Sequence, residues 1–146
     1  MADERPFTVD LTLRQGYEAS VRFGNGTVPP LTIDEPAPLG TGTGPDPSSV
    51  LAAAIAGCLT SSLAFCLRKS RVDLRGVTVH VSGVHGRNEK GRLRVTKLEV
   101  KIVPTVGAQD RDRLGRCEEL FEDFCVVTEA VRHGIEVDVR IEPQVS

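Results

Sequence analysis

The feature that most constrains this chain is a stretch of 18 residues, 50–67, that contains no charged side chain. This length reaches the lower limit for a helix that crosses a bilayer. The stretch is rich in Ala, Ser, Thr and Gly, however, rather than in large apolar residues. A helix that is small or apolar on every side is also what the centre of a protein core requires. We therefore predict a buried central helix and no association with a membrane.

Local signals set the ends of this helix. Asp46 is a residue type that caps helix N-termini, and Pro47 suits the first helical position. Arg68 and Lys69 lie where positive charge favours a helix C-terminus. The helix is therefore predicted to run from Pro47 to about Ser70.

Alternation of apolar and polar residues predicts β-strands on both sides of the helix. A charged, turn-like segment separates two of these runs and indicates an antiparallel hairpin. The predicted strands cover residues 7–13, 17–23, 31–33, 77–81, 98–102 and 135–141.

A second helix is predicted over residues 109–133, where apolar or small residues recur at helical spacing before Gly134. The mixed order of strands and helices indicates an α+β fold, with curved antiparallel sheets wrapped around two central helices. The length of 146 residues fits one domain, 1–146.

Composition excludes several classes of function. Eighteen Lys and Arg balance 20 Asp and Glu, Trp is absent and aromatics are scarce, so the sequence does not indicate a nucleic acid partner. The polar N-terminus, MADERPFT, lacks the apolar segment of a signal peptide, which predicts a cytoplasmic protein. No zinc-hydrolase spacing and no phosphate-binding loop occur, so we predict neither a metal nor a cofactor.

The four cysteines are the candidates for chemistry. In a reducing compartment, thiols are more often catalytic, redox-sensing or metal-binding than joined in structural disulfides. Cys66 follows Cys58 by eight residues, and Cys117 precedes Cys125 by eight. If the two helices pack antiparallel, Cys58 can face Cys125 while Cys66 faces Cys117.

Eight helical residues rise about 12 Å, so four such sulfurs cannot share one zinc ion. They also rotate by about 80°, which leaves the pairing of Cys66 with Cys117 open. Each cysteine has an alternative interpretation, because free Cys often serves as a small buried apolar residue.

The segment GPDPSSVLAAAIAGCLTSSL resembles the central-helix signature of the OsmC/Ohr family, the osmotically inducible and organic hydroperoxide resistance proteins. The shared pattern is a Gly-rich loop, here 40–47, followed by a Leu/Ala-rich helix that reaches a small residue and Cys58. Residues 33–36 and the run Cys125-Val126-Val127 also resemble the family. The similarity covers roughly residues 7–142.

This resemblance implies an intertwined homodimer with active sites at the subunit interface. It also implies a thiol-dependent peroxidase that reduces organic hydroperoxides. Cys58 would be the peroxidatic cysteine and Cys125 the resolving cysteine, with an external dithiol as reductant. An Arg from the N-terminal strands, Arg22 in preference to Arg14, would contact the thiolate.

Two positions depart from the family pattern. Ser48 and Ser49 follow Pro47 where active peroxidases of the family carry a Glu, and Val126 replaces a Pro after Cys125. An alternative is therefore a redox-responsive or small-ligand-binding member of the fold that lacks efficient peroxidase turnover. A third possibility is a structural or assembly role with inert, buried thiols.

Overall fold

Antiparallel sheet and helix alternate along the chain in the computed structural model, which describes residues 4–146. Residues 1–3, part of the polar N-terminus considered above, lie outside the described residues. The chain divides into two compact units, one ending at Ala53 and the other beginning at Ala54. The predicted α+β class is confirmed.

The first unit contains a three-stranded antiparallel sheet, in which β1 (Val9–Gln15) pairs with β2 (Glu18–Phe23) and β2 pairs with β3 (Leu31–Ile33). All three predicted strands are present. The prediction that β1 is half-buried is wrong for the single chain, because all seven of its residues are exposed. Its apolar face is therefore not covered by the chain itself.

The loop after β3 is organised around the buried carboxylate of Asp34. This group accepts hydrogen bonds from the backbone N–H groups of Glu35, Thr41 and Thr43 and from the hydroxyls of Thr41 and Thr43, at 2.8 to 3.3 Å. Burial by itself would raise the pKa of Asp34, but these hydrogen bonds outweigh it and lower the pKa to about 2. Gly40 is required here, since a Cβ would lie 2.2 Å from the Glu35 carbonyl oxygen.

We expect Asp34→Asn to lower the Tm at pH 7 by about 5 °C or more. The NH2 group of an Asn side chain is a donor, so in the variant it would face N–H and hydroxyl donors that bond a carboxylate oxygen in the wild type. The folded-state pKa of Asp34 is depressed, so its stabilising effect is fully present above about pH 4 and is lost as the pH falls through about 2. The Tm difference should therefore shrink toward pH 2, measured by circular dichroism. Asp10→Asn, on the exposed β1 strand, is the control; equal Tm values for the Asp34 and Asp10 variants at pH 7 would contradict this role.

The long apolar helix, α1 (Pro47–Lys69), begins and ends where the sequence predicts, within one residue. Asp46 Oδ1 accepts the Ser49 N–H at 3.0 Å, which confirms the predicted N-cap. By length and composition alone, α1 could also cross a membrane, but the core helices of soluble proteins meet the same criterion. The prediction of a buried helix holds for only part of the surface of α1 in the single chain. One stripe of residues spaced four apart is buried: Ile55, Leu59, Leu63 and Leu67.

The second unit contains a long antiparallel hairpin of β4 (Leu74–Arg87) and β5 (Leu93–Val106), each of 14 residues. The predicted hairpin is confirmed, although the strands extend well beyond 77–81 and 98–102. At the turn, Asn88 Oδ1 accepts the N–H groups of Lys90 and Arg92. Asn side chains favour such turns because they bond the backbone two residues on.

The predicted helix over 109–133 is interrupted. A 3₁₀ turn (Ala108–Asp110) leads into α2 (Arg111–Leu120), and a second 3₁₀ turn (Phe121–Phe124) precedes α3 (Val126–His133). Cys125 has extended backbone angles, φ −82° and ψ 100°, and is the N-cap of α3. Helical spacing of apolar residues continued through this break, so the pattern alone did not reveal it. Gly134 ends α3 at a φ of 79°, as expected.

The predicted strand at 135–141 is absent from the single chain. A strand requires a hydrogen-bonding neighbour, and none of the strands within residues 4–146 pairs with this segment. Its apolar side chains are 68% to 85% exposed: Ile135, Val137, Val139 and Ile141.

Candidate active site

Cys58 and Cys125 are brought together in the second unit, as predicted. Cys58 lies half-buried in the middle of α1, and Cys125 is almost fully buried at the start of α3. Both are free thiols, and they lie close enough for each to shift the pKa of the other. The Val127 N–H, in the first turn of α3, donates to Cys58 Sγ at 3.4 Å. The site is therefore a dithiol held against a helix N-terminus.

Thr128 completes this arrangement. The Cys125 thiol donates to Thr128 Oγ1 at 2.9 Å, and both side chains are buried. A hydroxyl both accepts and donates, so Thr128 can accept from the thiol or donate to the thiolate after Cys125 loses its proton. One side chain thus supports both protonation states of Cys125.

The environment shifts the two thiols in opposite directions. Burial raises the pKa of Cys58, and its hydrogen bond to Cys125 raises it further. Burial would also raise the pKa of Cys125, but hydrogen bonds from Cys58, Thr128 and the α3 backbone lower it below its usual value. The surroundings therefore favour the protonated form of Cys58 and the thiolate form of Cys125.

Thr128→Val should move the thiolate titration of this pair to higher pH, because the variant loses a hydroxyl that lowers the pKa of Cys125. The thiolate absorbance near 240 nm follows the titration. Cys66 and Cys117 are kept oxidised so that they contribute no thiolate. Thr128→Ser retains the hydroxyl and should restore the wild-type curve. Identical titrations for Val and wild type would show that the hydroxyl does not stabilise the thiolate.

Cys58 faces a pocket of about 610 Å³, whereas the pocket walls do not include Cys125. Phe65, Leu120 and Phe124 contribute apolar wall, and Lys69 contributes a positive charge. The Lys69 ammonium lies 5.8 Å from the centroid of the Phe65 ring, within cation–π range. A solute that enters this pocket therefore meets Cys58 and not Cys125.

The sequence left the pairing of Cys66 and Cys117 open, and the structure joins them in a disulfide. Their Cα atoms are 5.8 Å apart, within the usual range for such a bond. The bond links the last part of α1 to α2. Among residues 4–146, no group of three or more His, Cys, Asp or Glu side chains is placed to hold a metal.

Arg22 and Arg14, predicted to contact the thiolate, are exposed on β2 and β1 of the first unit. Ser48 lies in the first turn of α1. These roles stay predictions.

The sequence did not identify Thr128 and the Val127 N–H as site groups, because they contact the thiols only when Cys125 is the N-cap of α3. The available signal was the three-residue spacing from Cys125 to Thr128.

Comparison with known proteins identifies the family. Residues 40–140 match the profile of the OsmC family, described as OsmC-like protein. No curated protein matches the chain.

Solved structures share the fold at low sequence identity. An OsmC-like protein of unknown function from Vibrio cholerae has a TM-score of 0.76 and 17% identity, with 87% of this chain and 94% of that chain covered. An organic hydroperoxide resistance protein from Elizabethkingia anophelis has a TM-score of 0.64 and 21% identity, with 93% and 94% covered. The organic hydroperoxide resistance protein OhrB of Bacillus subtilis has a TM-score of 0.58 and 21% identity, with 86% and 91% covered. The family profile spans more than half of the chain, and this α+β protein therefore belongs to the OsmC-like family.

Proposed function

We propose that this protein is a thiol-dependent peroxidase that reduces organic hydroperoxides through Cys58 and Cys125. The observation that carries the proposal is a pair of neighbouring free thiols, Cys58 in the wall of an apolar pocket and Cys125 buried beside it. Structural relatives named as organic hydroperoxide resistance proteins support the same activity.

In the proposed reaction, the proton of Cys58 passes to the Cys125 thiolate, and the resulting Cys58 thiolate attacks the terminal oxygen of the hydroperoxide. The O–O bond breaks, the departing alkoxide takes a proton from solvent and leaves as the alcohol, and Cys58 becomes a sulfenic acid. Cys125 then attacks the Cys58 sulfur, the S–O bond breaks, and water leaves as the disulfide forms. An external dithiol returns two electrons and two protons, restoring both thiols.

The buried position of Cys125 suits the resolving role, because it needs to reach only its neighbour. Phe65, Leu120 and Phe124 favour hydroperoxides with an apolar body over hydrogen peroxide, since apolar surface gains by leaving water. Arg22 is the proposed cation at the thiolate, with Arg14 as the alternative. We also propose a cytoplasmic location for the protein.

The direct test is a titration with tert-butyl hydroperoxide. One equivalent should convert the free thiols to a Cys58–Cys125 disulfide, located by mass spectrometry, and added dithiothreitol should reverse it. The Cys66–Cys117 bond is present beforehand and must be distinguished by mapping peptides. Survival of both free thiols in excess hydroperoxide would refute the peroxidase proposal.

Ser48 and Ser49 favour a second candidate, a redox-responsive or ligand-binding protein without efficient turnover. The carboxylate that the resemblance leads us to expect after Pro47 is absent there. Such a protein would form the Cys58–Cys125 disulfide slowly and would not cycle with dithiol. Steady-state consumption of hydroperoxide separates the two candidates.

We further propose an intertwined homodimer, supported by the exposed apolar side of β1 and by the alternating segment at 135–141, which pairs with no strand in the described part of the chain. Sedimentation at micromolar concentration should give about twice the chain mass of 15.8 kDa.

The double variant Val137→Lys/Val139→Lys should weaken dimer formation at least tenfold, about 1.4 kcal/mol, because it places charge in the interface. Val145→Lys, beyond the segment, is the control; a monomeric wild type would contradict the assembly.

A further inference from the structure

The Cys66–Cys117 disulfide is a second pair of redox-capable sulfurs that the proposed peroxidase reaction does not use. We propose that it is a second redox site, opened by an external dithiol that enters the pocket and closed by the cyclic disulfide of that dithiol, and that its opening frees the segment that carries Cys125. This proposal does not rest on the peroxidase proposal, because it concerns exchange at different sulfurs.

The two sulfurs differ in accessibility. Cys66 is half-buried and contributes to the wall of the pocket, near Ser62 and Ser70. Cys117 is completely buried in the cluster formed with Leu63 and Leu67. Since an attacking thiolate must reach the sulfur it attacks, exchange begins at Cys66.

The exchange balances without any other reactant. A thiolate of the external dithiol attacks the Cys66 sulfur, forms a mixed disulfide, and releases Cys117 as the leaving thiolate. The second thiol of the reagent then closes a cyclic disulfide and releases Cys66. Two electrons and two protons pass from the dithiol to the protein, and the cyclic disulfide reverses both steps.

The pair Cys58/Cys125 and the pair Cys66/Cys117 do not exchange disulfides with each other within one chain. Cys58 and Cys66 lie eight residues apart on α1, which corresponds to a rise of about 12 Å. A sulfur–sulfur bond spans only about 2 Å. Each pair therefore reacts with the external dithiol separately.

The disulfide is a covalent tie between α2 and the last part of α1. Within Arg111–Leu120, Cys117 is the one buried residue, while Leu114 packs at the edge of the core cluster. The 3₁₀ turn Phe121–Phe124 follows directly and leads to Cys125. Opening the bond removes the covalent tie eight residues before Cys125. It also loosens Leu120 and Phe124, which form part of the pocket wall.

The first test asks which sulfur an external thiol attacks while the bond is still closed, in a background that carries Cys58→Ser and Cys125→Ser. Brief treatment with glutathione in native buffer, followed by acid quenching and peptide mapping, should place the mixed disulfide on Cys66 at least about tenfold more often than on Cys117, because access controls the site of attack. Equal amounts on the two cysteines, or more on Cys117, would overturn exchange through Cys66.

The second test uses the native wild-type chain, so it does not depend on the folding of any variant. Equilibration with mixtures of reduced and oxidised dithiothreitol, followed by acid quenching and peptide mapping, should show reversible opening of Cys66–Cys117 without denaturant. A bond that opens only in guanidinium would overturn the proposal of a redox site.

Hydrogen exchange then tests the consequence. Amides in residues 111–125 should exchange at least about tenfold faster after the bond opens, because local opening controls their protection. The same comparison in the Cys58→Ser/Cys125→Ser background separates this effect from reduction of the first pair. The turn at 88–92 is the internal control. Unchanged exchange over 111–125 would overturn the release of the Cys125 segment.

Discussion

Cys58→Ser is expected to abolish hydroperoxide turnover, lowering kcat/KM by at least about 1,000-fold, as removal of an attacking nucleophile does in other enzymes. A serine hydroxyl does not ionise near neutral pH, whereas a cysteine thiol can form the thiolate that attacks the peroxide. The measurement is steady-state loss of cumene hydroperoxide with dithiothreitol as reductant. Wild-type turnover in the Cys58 variant would assign the attack to another group.

Cys125→Ser provides the complementary result. Cys58 should still consume one equivalent of hydroperoxide, because attack precedes resolution, but it should stop at the sulfenic acid. A sulfenic acid trap such as dimedone should label Cys58 in this variant and label it much less in the wild type. Glu89→Gln, at the tip of the hairpin, is the control for handling and should turn over normally. Labelling of Cys125 in the wild type would reverse the two roles.

Removal of the Cys66–Cys117 bond is expected to lower the free energy of unfolding by about 4 kcal/mol, because the cross-link closes a long loop in the unfolded chain. The two cysteines are 51 residues apart. This loss is a large fraction of the 5–15 kcal/mol typical of whole domains. Urea unfolding of wild type with and without dithiothreitol should show the midpoint falling in reductant.

Two variants show which pair is responsible for that fall. Cys66→Ala with Cys117→Ala should unfold at the lower midpoint in both conditions, since it has no bond to break at this place. Cys58→Ser with Cys125→Ser should keep the full sensitivity to reductant. A wild-type midpoint that does not respond to dithiothreitol, with the bond shown to be open, would contradict the stabilising role.

Local chemistry was sufficient to predict most elements. Asp46 and Pro47 marked the start of α1, and strict alternation marked the strands of the first sheet. Such signals depend only on residues close in sequence, so they can be recognised without knowing the fold. The prediction of one continuous helix through Cys125 was wrong because it relied on a local signal alone. Apolar residues keep their helical spacing across the break, although the backbone of Cys125 is extended.

Buried polar groups were harder to predict. Asp34 lies in a Pro/Gly-rich region that reads as an ordinary loop, yet its carboxylate collects donors from residues up to nine positions away. Such a network depends on how the loop folds back on itself. The same holds for Thr128, whose spacing from Cys125 was visible but whose hydroxyl gains a role only at the start of α3.

The sequence by itself determined the α+β class, the hairpin, the bounds of α1 and the candidate pair Cys58 and Cys125, because periodicity, caps and motif residues are local properties. Only the tertiary structure decided that Cys66 joins Cys117, that Cys125 caps a helix, and that the segment at 135–141 has no strand partner among residues 4–146. These outcomes depend on which distant residues approach each other in space. A bond between sulfurs 51 residues apart, or a missing strand neighbour, leaves no mark in the local pattern.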